Sequence, residues 1–170
     1  SLFFTCLADA FFPRVCFATA AVLERFGAEV RVPLSQTCCG QPAHNSGNRK
    51  EARKMARKFL QAFAGEGYIV TPSGSCASMV KNEYPVLFRD EPTMLALASL
   101  AGMRTYELSQ FLVDVLGVTD PQSSFRGKVT YHDSCHLKRG LGVFEAPRKL
   151  LRAVPGVNLI EMEESDRCCG

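Results

Sequence analysis

Apolar positions recur in two rhythms along the chain. Leu2 to Thr5 is a short apolar run that ends at Cys6 and reads as a strand. From about Pro13 the apolar residues Val15, Ala18, Val22, Leu23 and Phe26 fall at helical spacing and Gly27 follows. This predicts a helix opened by proline and closed by glycine. Glu29 to Pro33 alternates as a strand. A second helix is expected from about Asn48 to Ala64, its apolar face made of Ala52, Met55, Ala56, Phe59, Leu60 and Phe63. Its other face holds Arg49, Lys50, Arg53, Lys54, Arg57 and Lys58, which reads first as a solvated face. Tyr68 to Val70 is a buried-type strand between Gly67 and Pro72. The loop Thr71 to Ser75 then places Cys76 at the start of a helix reaching towards Tyr84. Asp90 is expected to cap a helix across Met94 to Leu100, and Thr105 one across Leu108 to Leu116 that Gly117 ends.

Thr119 to Gly127, with Pro121 and a serine pair, is the expected boundary, because the opening pattern restarts after it. Val129 to Tyr131 reads as a strand, Glu145 to Ala153 as a helix and Asn158 to Glu161 as another strand. Cysteines mark both passes. Between Cys6 and Cys38-Cys39-Gly40 lie 31 intervening residues, and between Cys135 and Cys168-Cys169-Gly170 lie 32. This is an internal repeat. It predicts an α/β fold of two Rossmann-like βαβ lobes with parallel strands, the cysteines sitting in loops at the carboxyl ends of the strands. The first lobe is expected over residues 1–120 and the second from 128 to 170. Cys76 has no counterpart within the second pass, so that repeat reads as truncated.

Composition narrows the function. A net charge of +3 is too small to argue for nucleic acid, and no apolar run reaches the roughly 20 residues of a membrane-spanning helix. The apolar opening lacks a basic flank and a cleavage site, so it is not expected to be a signal peptide. Eight cysteines without a secretory signal point to metal or redox chemistry in a reducing, cytoplasmic setting, ahead of a disulfide framework. Thiolates are soft ligands that select zinc, copper(I) or iron–sulfur clusters. The chain has no Cys-x-x-Cys, which disfavours the ordinary zinc ribbon. Adjacent cysteines chelate one tetrahedral metal poorly but can reach different irons of a cluster. A helix start at Cys76 would favour its thiolate.

Other residues near the motifs have plainer readings. Cys16 falls beside the apolar face of the first helix and is expected to be a core thiol. His44, His132 and His136 sit close to cysteines; His136 is the best candidate for direct ligation, and supporting hydrogen bonds are the simpler role. Asp133 beside His132 invites an acid–base reading, but with no nucleophile motif a capping role at the strand end is expected. Gly40, Gly47, Gly74 and Gly170 all lie in cysteine loops, where positive φ or a close approach would call for glycine. No Gly-x-Gly-x-x-Gly or Walker A pattern supports a nucleotide.

Several segments together resemble the cysteine-rich CCG-domain family, which includes the cysteine-rich component of heterodisulfide reductase and the glycolate oxidase iron–sulfur protein. They are Leu2-Phe-Phe-Thr-Cys-Leu-Ala-Asp-Ala-Phe-Phe-Pro13, Gln36-Thr-Cys-Cys-Gly-Gln-Pro-Ala43, Asn45-Ser-Gly47, Thr71-Pro-Ser-Gly-Ser-Cys-Ala77, Arg104-Thr-Tyr-Glu-Leu-Ser109 and Thr130-Tyr-His-Asp-Ser-Cys-His136. Within the family the chain is most similar to the lactate-utilisation protein A group. The resemblance implies a cluster, 4Fe-4S or non-cubane, with zinc as the alternative. Its ligands would be Cys6, Cys38, Cys39 and Cys76 at a first site, and Cys135, Cys168 and Cys169 at an incomplete second one. It further implies an electron-transfer subunit, not itself catalytic, of an L-lactate or other 2-hydroxy-acid (glycolate-type) oxidation complex. The partners would be the other subunits, with a possible peripheral association at the inner membrane face. A zinc-stabilised interaction subunit and a thiol–disulfide redox subunit of the heterodisulfide reductase type are the rival readings. The chain departs from the family pattern at Met79, where a closing Cys-x-x-Cys would place a cysteine, and this disfavours a larger two-part cluster.

Overall fold

A computed structural model describes residues 1–168, so Cys169 and Gly170 lie outside the described residues. The chain divides into two units, Ser1–Leu108 and Ser109–Gly170. Both mix helices with short parallel strands, in keeping with the expected α/β class.

In the first unit the opening strand is cut short because Cys6 itself begins a helix, α1 (Cys6–Phe11), which the apolar pattern does not predict. Thr5 caps it, its Oγ1 accepting from the Ala8 amide at 3.2 Å. Residues 1–3 still bond alongside the next strand: Leu2 bridges Val70 in parallel, and the Phe3 amide donates to the Val70 carbonyl at 2.8 Å. Of the strand expected at Glu29 to Pro33, one bond remains, from the Leu2 amide to the Arg31 carbonyl at 2.8 Å. Proline at position 33 cannot donate to a ladder.

Helix α2 (Pro13–Arg25) has the expected proline start, and Gly27 follows with φ of 82°. Its buried face is Cys16, Thr19 and Leu23; of the expected stripe Leu23 is buried, Val22 and Phe26 are half-buried, and Val15 and Ala18 are exposed. Thr19 can be buried because its hydroxyl donates to the Val15 carbonyl at 2.7 Å. Cys16 is thus a core thiol, as expected. Helix α3 (Gln41–Asn45) leads into α4 (Arg49–Ala62), which Asn48 caps, and Ala52, Ala56, Phe59 and Leu60 of α4 are buried. The basic face of α4 is only partly solvated. Arg53 binds Asp90 at 2.7 Å and also Glu91, and Arg57 pairs with Glu91 and lies over the Phe88 ring.

Strand β1 (Ile69–Thr71) is buried throughout and pairs in parallel with β2 (Thr105–Glu107), Val70 opposite Tyr106. Between them α5 (Gly74–Ser78) runs on through a π-helical turn (Met79–Glu83) into α6 (Tyr84–Leu87). Helix α7 (Pro92–Arg104) then packs so closely that a Cβ on Gly102 would come 3.2 Å from the Lys81 Cα. Two capping expectations fail here. Asp90 makes an ion pair with Arg53 in place of a cap on α7, and Thr105 lies in β2 with its hydroxyl on the Ala101 carbonyl. Phe3, Phe59, Phe63 and Tyr84, all nearly inaccessible to solvent, form the centre of the core.

The second unit continues α8 (Leu108–Gln110) into a π-helical turn (Phe111–Val115). Strand β3 (Gly127–Val129) pairs in parallel with β4 (Val157–Leu159), and α9 (Glu145–Ala153) has the expected bounds. A π-helical turn over His136–Gly140, not expected from the pattern, follows Cys135. Asp133 is not a cap. It is 2% exposed and takes a two-pronged contact from Arg148 at 2.6 and 2.8 Å, plus a hydrogen bond from the Ser165 hydroxyl. Arg148 also binds Glu161, so one guanidinium ties the ends of both strands to α9.

Two stability outcomes follow from this packing. Phe59→Ala should destabilise the first unit by about 3–5 kcal/mol, read as a lowered denaturation midpoint. Arg148→Met should cost the second unit about 3–5 kcal/mol, because it leaves the Asp133 carboxylate buried without its partner. The Arg148 guanidinium holds the Asp133 carboxyl below the usual carboxylate range. Its contribution is therefore present above about pH 4 and lost as pH falls further. Acid titration of unfolding in wild type and Arg148→Met checks this, since the variant should lack that loss.

Candidate metal centre

Three loops deliver the four cysteines of the first set. Cys6 opens α1 directly after Thr5. Cys38 and Cys39 lie in the loop before α3, and Gly40 turns the chain into that helix with φ of 86°. Only glycine fits there, since a Cβ would also meet the Met55 Cβ at 3.1 Å and the Ala52 carbonyl at 3.3 Å. Gly47 also has positive φ, whereas Gly74 opens α5. Cys76 sits in the first turn of α5, whose cap Ser73 accepts from the Cys76 amide at 3.3 Å.

The sulfurs meet in two pairs. Cys6 and Cys38 are 3.4 Å apart at Sγ, and Cys39 and Cys76 are 3.5 Å apart. All four face a cavity of about 100 Å³ whose walls also include Thr5, Ser73 and Ser75. Among the described residues no cysteine is in a disulfide, and no group of three or more Cys, His, Asp or Glu is spaced to hold a single metal ion as it stands. The donor set nevertheless suits a thiolate-bound centre: four soft sulfurs at one cavity, with a left-handed turn at Gly40 and the Ser73 cap fixing two of the three loops.

Charge is shared unevenly among the four. The Cys39 thiol donates to Cys38, and with the Gly40 amide at 3.4 Å this pulls the Cys38 pKa down to about 5. Cys76 is lowered as well, by Cys39 and then by Ser73. Cys39, donating to both neighbours and buried, is pushed up. Cys6 is pushed up to about 11, first by burial and then by its bond to Cys38. In the metal-free site Cys38 and Cys76 thus give up their protons more readily than Cys6 and Cys39.

Three residues not singled out from the sequence hold this geometry. Gln36 accepts from the Phe4 amide at 2.7 Å and donates to the Leu2 carbonyl, standing in for the missing strand partner. Gln41 donates to the Ser75 carbonyl at 3.3 Å, joining the double-cysteine loop to the Cys76 loop. Tyr84 donates to the Cys39 carbonyl at 2.9 Å. Gln36 and Gln41 flank Cys38-Cys39-Gly40 in sequence, the one signal that pointed to them.

His44, the histidine of the first unit, is not among the residues lining this cavity. His44 lies 3.5 Å from Glu83, His132 bonds the Arg167 carbonyl at 2.8 Å, and His136 is exposed. In the second unit Cys135 is half-buried and Cys168 exposed, while Cys169 lies outside the described residues. The segments carrying Cys135 and Cys168 are clasped together by the Asp133 amide on the Ser165 carbonyl at 2.7 Å and by Lys138 on Asp166 at 3.0 Å.

Because Cys6 and Cys39 keep their protons, loading the first site should release at least about two protons per metal centre and tighten as pH rises. Calorimetric titration of metal-free protein with zinc, in buffers of different ionisation enthalpy, measures that number.

A family profile described as a cysteine-rich (CCG) domain matches residues 1–81 and 129–170. Lactate utilization protein A of Oceanobacillus iheyensis is 50% identical over 170 residues, all of this chain and 69% of that protein. The protein of the same name from Geobacillus kaustophilus is 51% identical, with 71% of its length covered. That from Bacillus licheniformis is 49% identical, again with 71% covered. With four cysteines of the motif gathered at one cavity and half of all positions shared over its whole length, the chain belongs to the cysteine-rich CCG-domain family, among the lactate utilization A proteins.

Proposed function

We propose that Cys6, Cys38, Cys39 and Cys76 hold an iron–sulfur cluster, 4Fe-4S or non-cubane, and that the chain is an electron-transfer subunit of a complex oxidising L-lactate or a related 2-hydroxy acid. The observation that carries this reading is the meeting of four thiols at one cavity without an accompanying nucleophile–base pair. When bound, the cluster would supply a one-electron relay. The chain's residues contribute the rest. Cys38 and Cys76 offer thiols whose deprotonation their neighbours favour, Cys6 and Cys39 yield their protons on loading, and the Gly40 amide directs a hydrogen bond at the Cys38 sulfur.

The two units are proposed to be Rossmann-like repeats of one CCG plan, a first domain over residues 1–120 and a second beginning at 128. In the second, Cys135, Cys168 and Cys169 would be ligands of a further, incomplete site, with His136 as a possible addition. Partners would be the other subunits of the oxidation complex. A cytoplasmic setting, peripheral to the inner membrane at most, suits the free thiols. No helix among the described residues is long and apolar enough to cross a membrane.

One observation favours a second reading, a thiol–disulfide redox subunit. A wider cavity of about 310 Å³ opens beside Cys6 and Cys38, with room for a small substrate against the sulfurs.

Iron, zinc and acid-labile sulfide should be measured in protein purified without oxygen, with EPR on the same sample. The expected result is about four irons and four sulfides per chain, lost in Cys39→Ala. One zinc without sulfide would overturn the electron-transfer reading and leave a zinc-stabilised interaction subunit. Reduction of a small disulfide by the pre-reduced protein, lost in Cys6→Ala, would decide for the second reading.

A further inference from the structure

Tyr84 is buried to 0% exposure, and its ring meets Phe59 edge-on at 5.5 Å between centroids. Its hydroxyl reaches past the core to a single point on the cysteine loop, the Cys39 carbonyl, at 2.9 Å. That carbonyl belongs to the same peptide plane as the Gly40 amide, which points at the Cys38 sulfur from 3.4 Å. In a trans peptide the C=O and N–H point in opposite directions. Anchoring one therefore aims the other. The positive φ at Gly40 belongs to the same geometry, since it turns the chain into α3 directly after this peptide.

We propose that Tyr84 is a positioning residue for the metal centre. It holds the Cys39–Gly40 peptide so that the amide hydrogen bond reaches the Cys38 sulfur and the Cys39 sulfur stays turned towards Cys76. Tyr84 lies eight residues after Cys76 along the continuous α5–α6 helical run, whose π-helical turn lies between them. One helical run thus supplies both a ligand and the anchor for the ligands opposite it. A π turn inserts an extra residue and so changes which later side chains share a face with Cys76. Without the hydroxyl, the Cys39 carbonyl would be left as a buried acceptor with no donor in that direction, and the loop would lose its fixed orientation.

The assignment rests on the four-thiol ligand set proposed above, and the first arm of its test runs without any bound group. Metal-free wild type and Tyr84→Phe, a change that keeps the ring, are labelled with iodoacetamide under anaerobic conditions and the modified cysteines mapped by mass spectrometry. Cys16, a buried thiol on α2, is the internal control. In Tyr84→Phe, Cys39 should label about fivefold faster, the factor one net hydrogen bond allows, while Cys16 keeps its wild-type rate. An unchanged Cys39 rate, or a Cys16 rate that rises in step with it, overturns the assignment and leaves the reading of the ligand set standing.

The second arm uses the reconstituted centre. Hydrogen bonds to cluster sulfur help set the reduction potential, and a lost N–H to sulfur contact makes the reduced form harder to reach. Tyr84→Phe should therefore carry a more negative midpoint potential by EPR-monitored titration. A midpoint equal to that of wild type counts against Tyr84, because a purely structural residue would change stability and leave the potential alone.

Discussion

The first unit depends on one contact, the aromatic stack centred on Phe59. Phe3 meets it edge-on at 4.9 Å, Phe63 lies at 4.5 Å and Tyr84 at 5.5 Å. Each such pair adds about 0.5–1.5 kcal/mol beyond the area it buries. Their positions in the chain matter more than the sum. Phe3 lies three residues before Cys6, Phe59 sits on the helix under the double-cysteine loop, and Tyr84 opens the last segment of the helical run that begins beside Cys76. Packing these rings together brings three separate cysteine segments to one end of a very short parallel sheet. The hydrophobic core and the proposed metal centre share a scaffold.

Above that core the site is held by neutral groups. Gln36, Gln41 and Tyr84 make hydrogen bonds that carry no charge. Such neutral contacts would suit the proposed redox centre. A fixed cation nearby would bias the potential strongly in the low dielectric of the interior, whereas amide and hydroxyl dipoles trim it. The second unit solves the corresponding problem with ions. Asp133, two residues before Cys135, is locked by Arg148 and Ser165, and its amide reaches the segment leading to Cys168. At the matching place in the first unit stands Phe4, whose amide is taken by Gln36. In the proposed repeat the amide two residues before each cysteine is thus tied to the segment ahead of the double cysteine, through a side chain in the first unit and a backbone carbonyl in the second.

Much of this is legible in the sequence. Long periodic segments fare best: α4 follows its apolar stripe closely, and α9 has the expected bounds. Cys16 is readable as a core thiol, and the four cysteines that share the first motif set meet as Cys6 with Cys38 and Cys39 with Cys76. The misses are local. Strands of three residues, such as β2, carry too little pattern to register, and the opening strand is shorter than its apolar run because Cys6 also starts a helix. Asp90, Thr105 and Asp133 all look like caps from their neighbours in sequence. Each is instead claimed by a partner or an element that the local pattern does not show.

The sequence by itself determined which atoms could do chemistry. Repeated cysteines at near-equal spacing, apolar stripes between them and glycines at the tight turns are local properties, set by ligand softness, helical period and allowed φ. Only the tertiary structure decided how those atoms behave. Whether a given cysteine is thiol or thiolate depends on which neighbour donates to it, and that neighbour lies more than thirty residues away for Cys6 with Cys38 and for Cys39 with Cys76. The same holds for Tyr84, whose hydroxyl meets the Cys39 carbonyl across 45 positions of sequence. Hydrogen bonding and burial act through space at a few ångströms, and proximity of that kind is written into a chain only once it has folded.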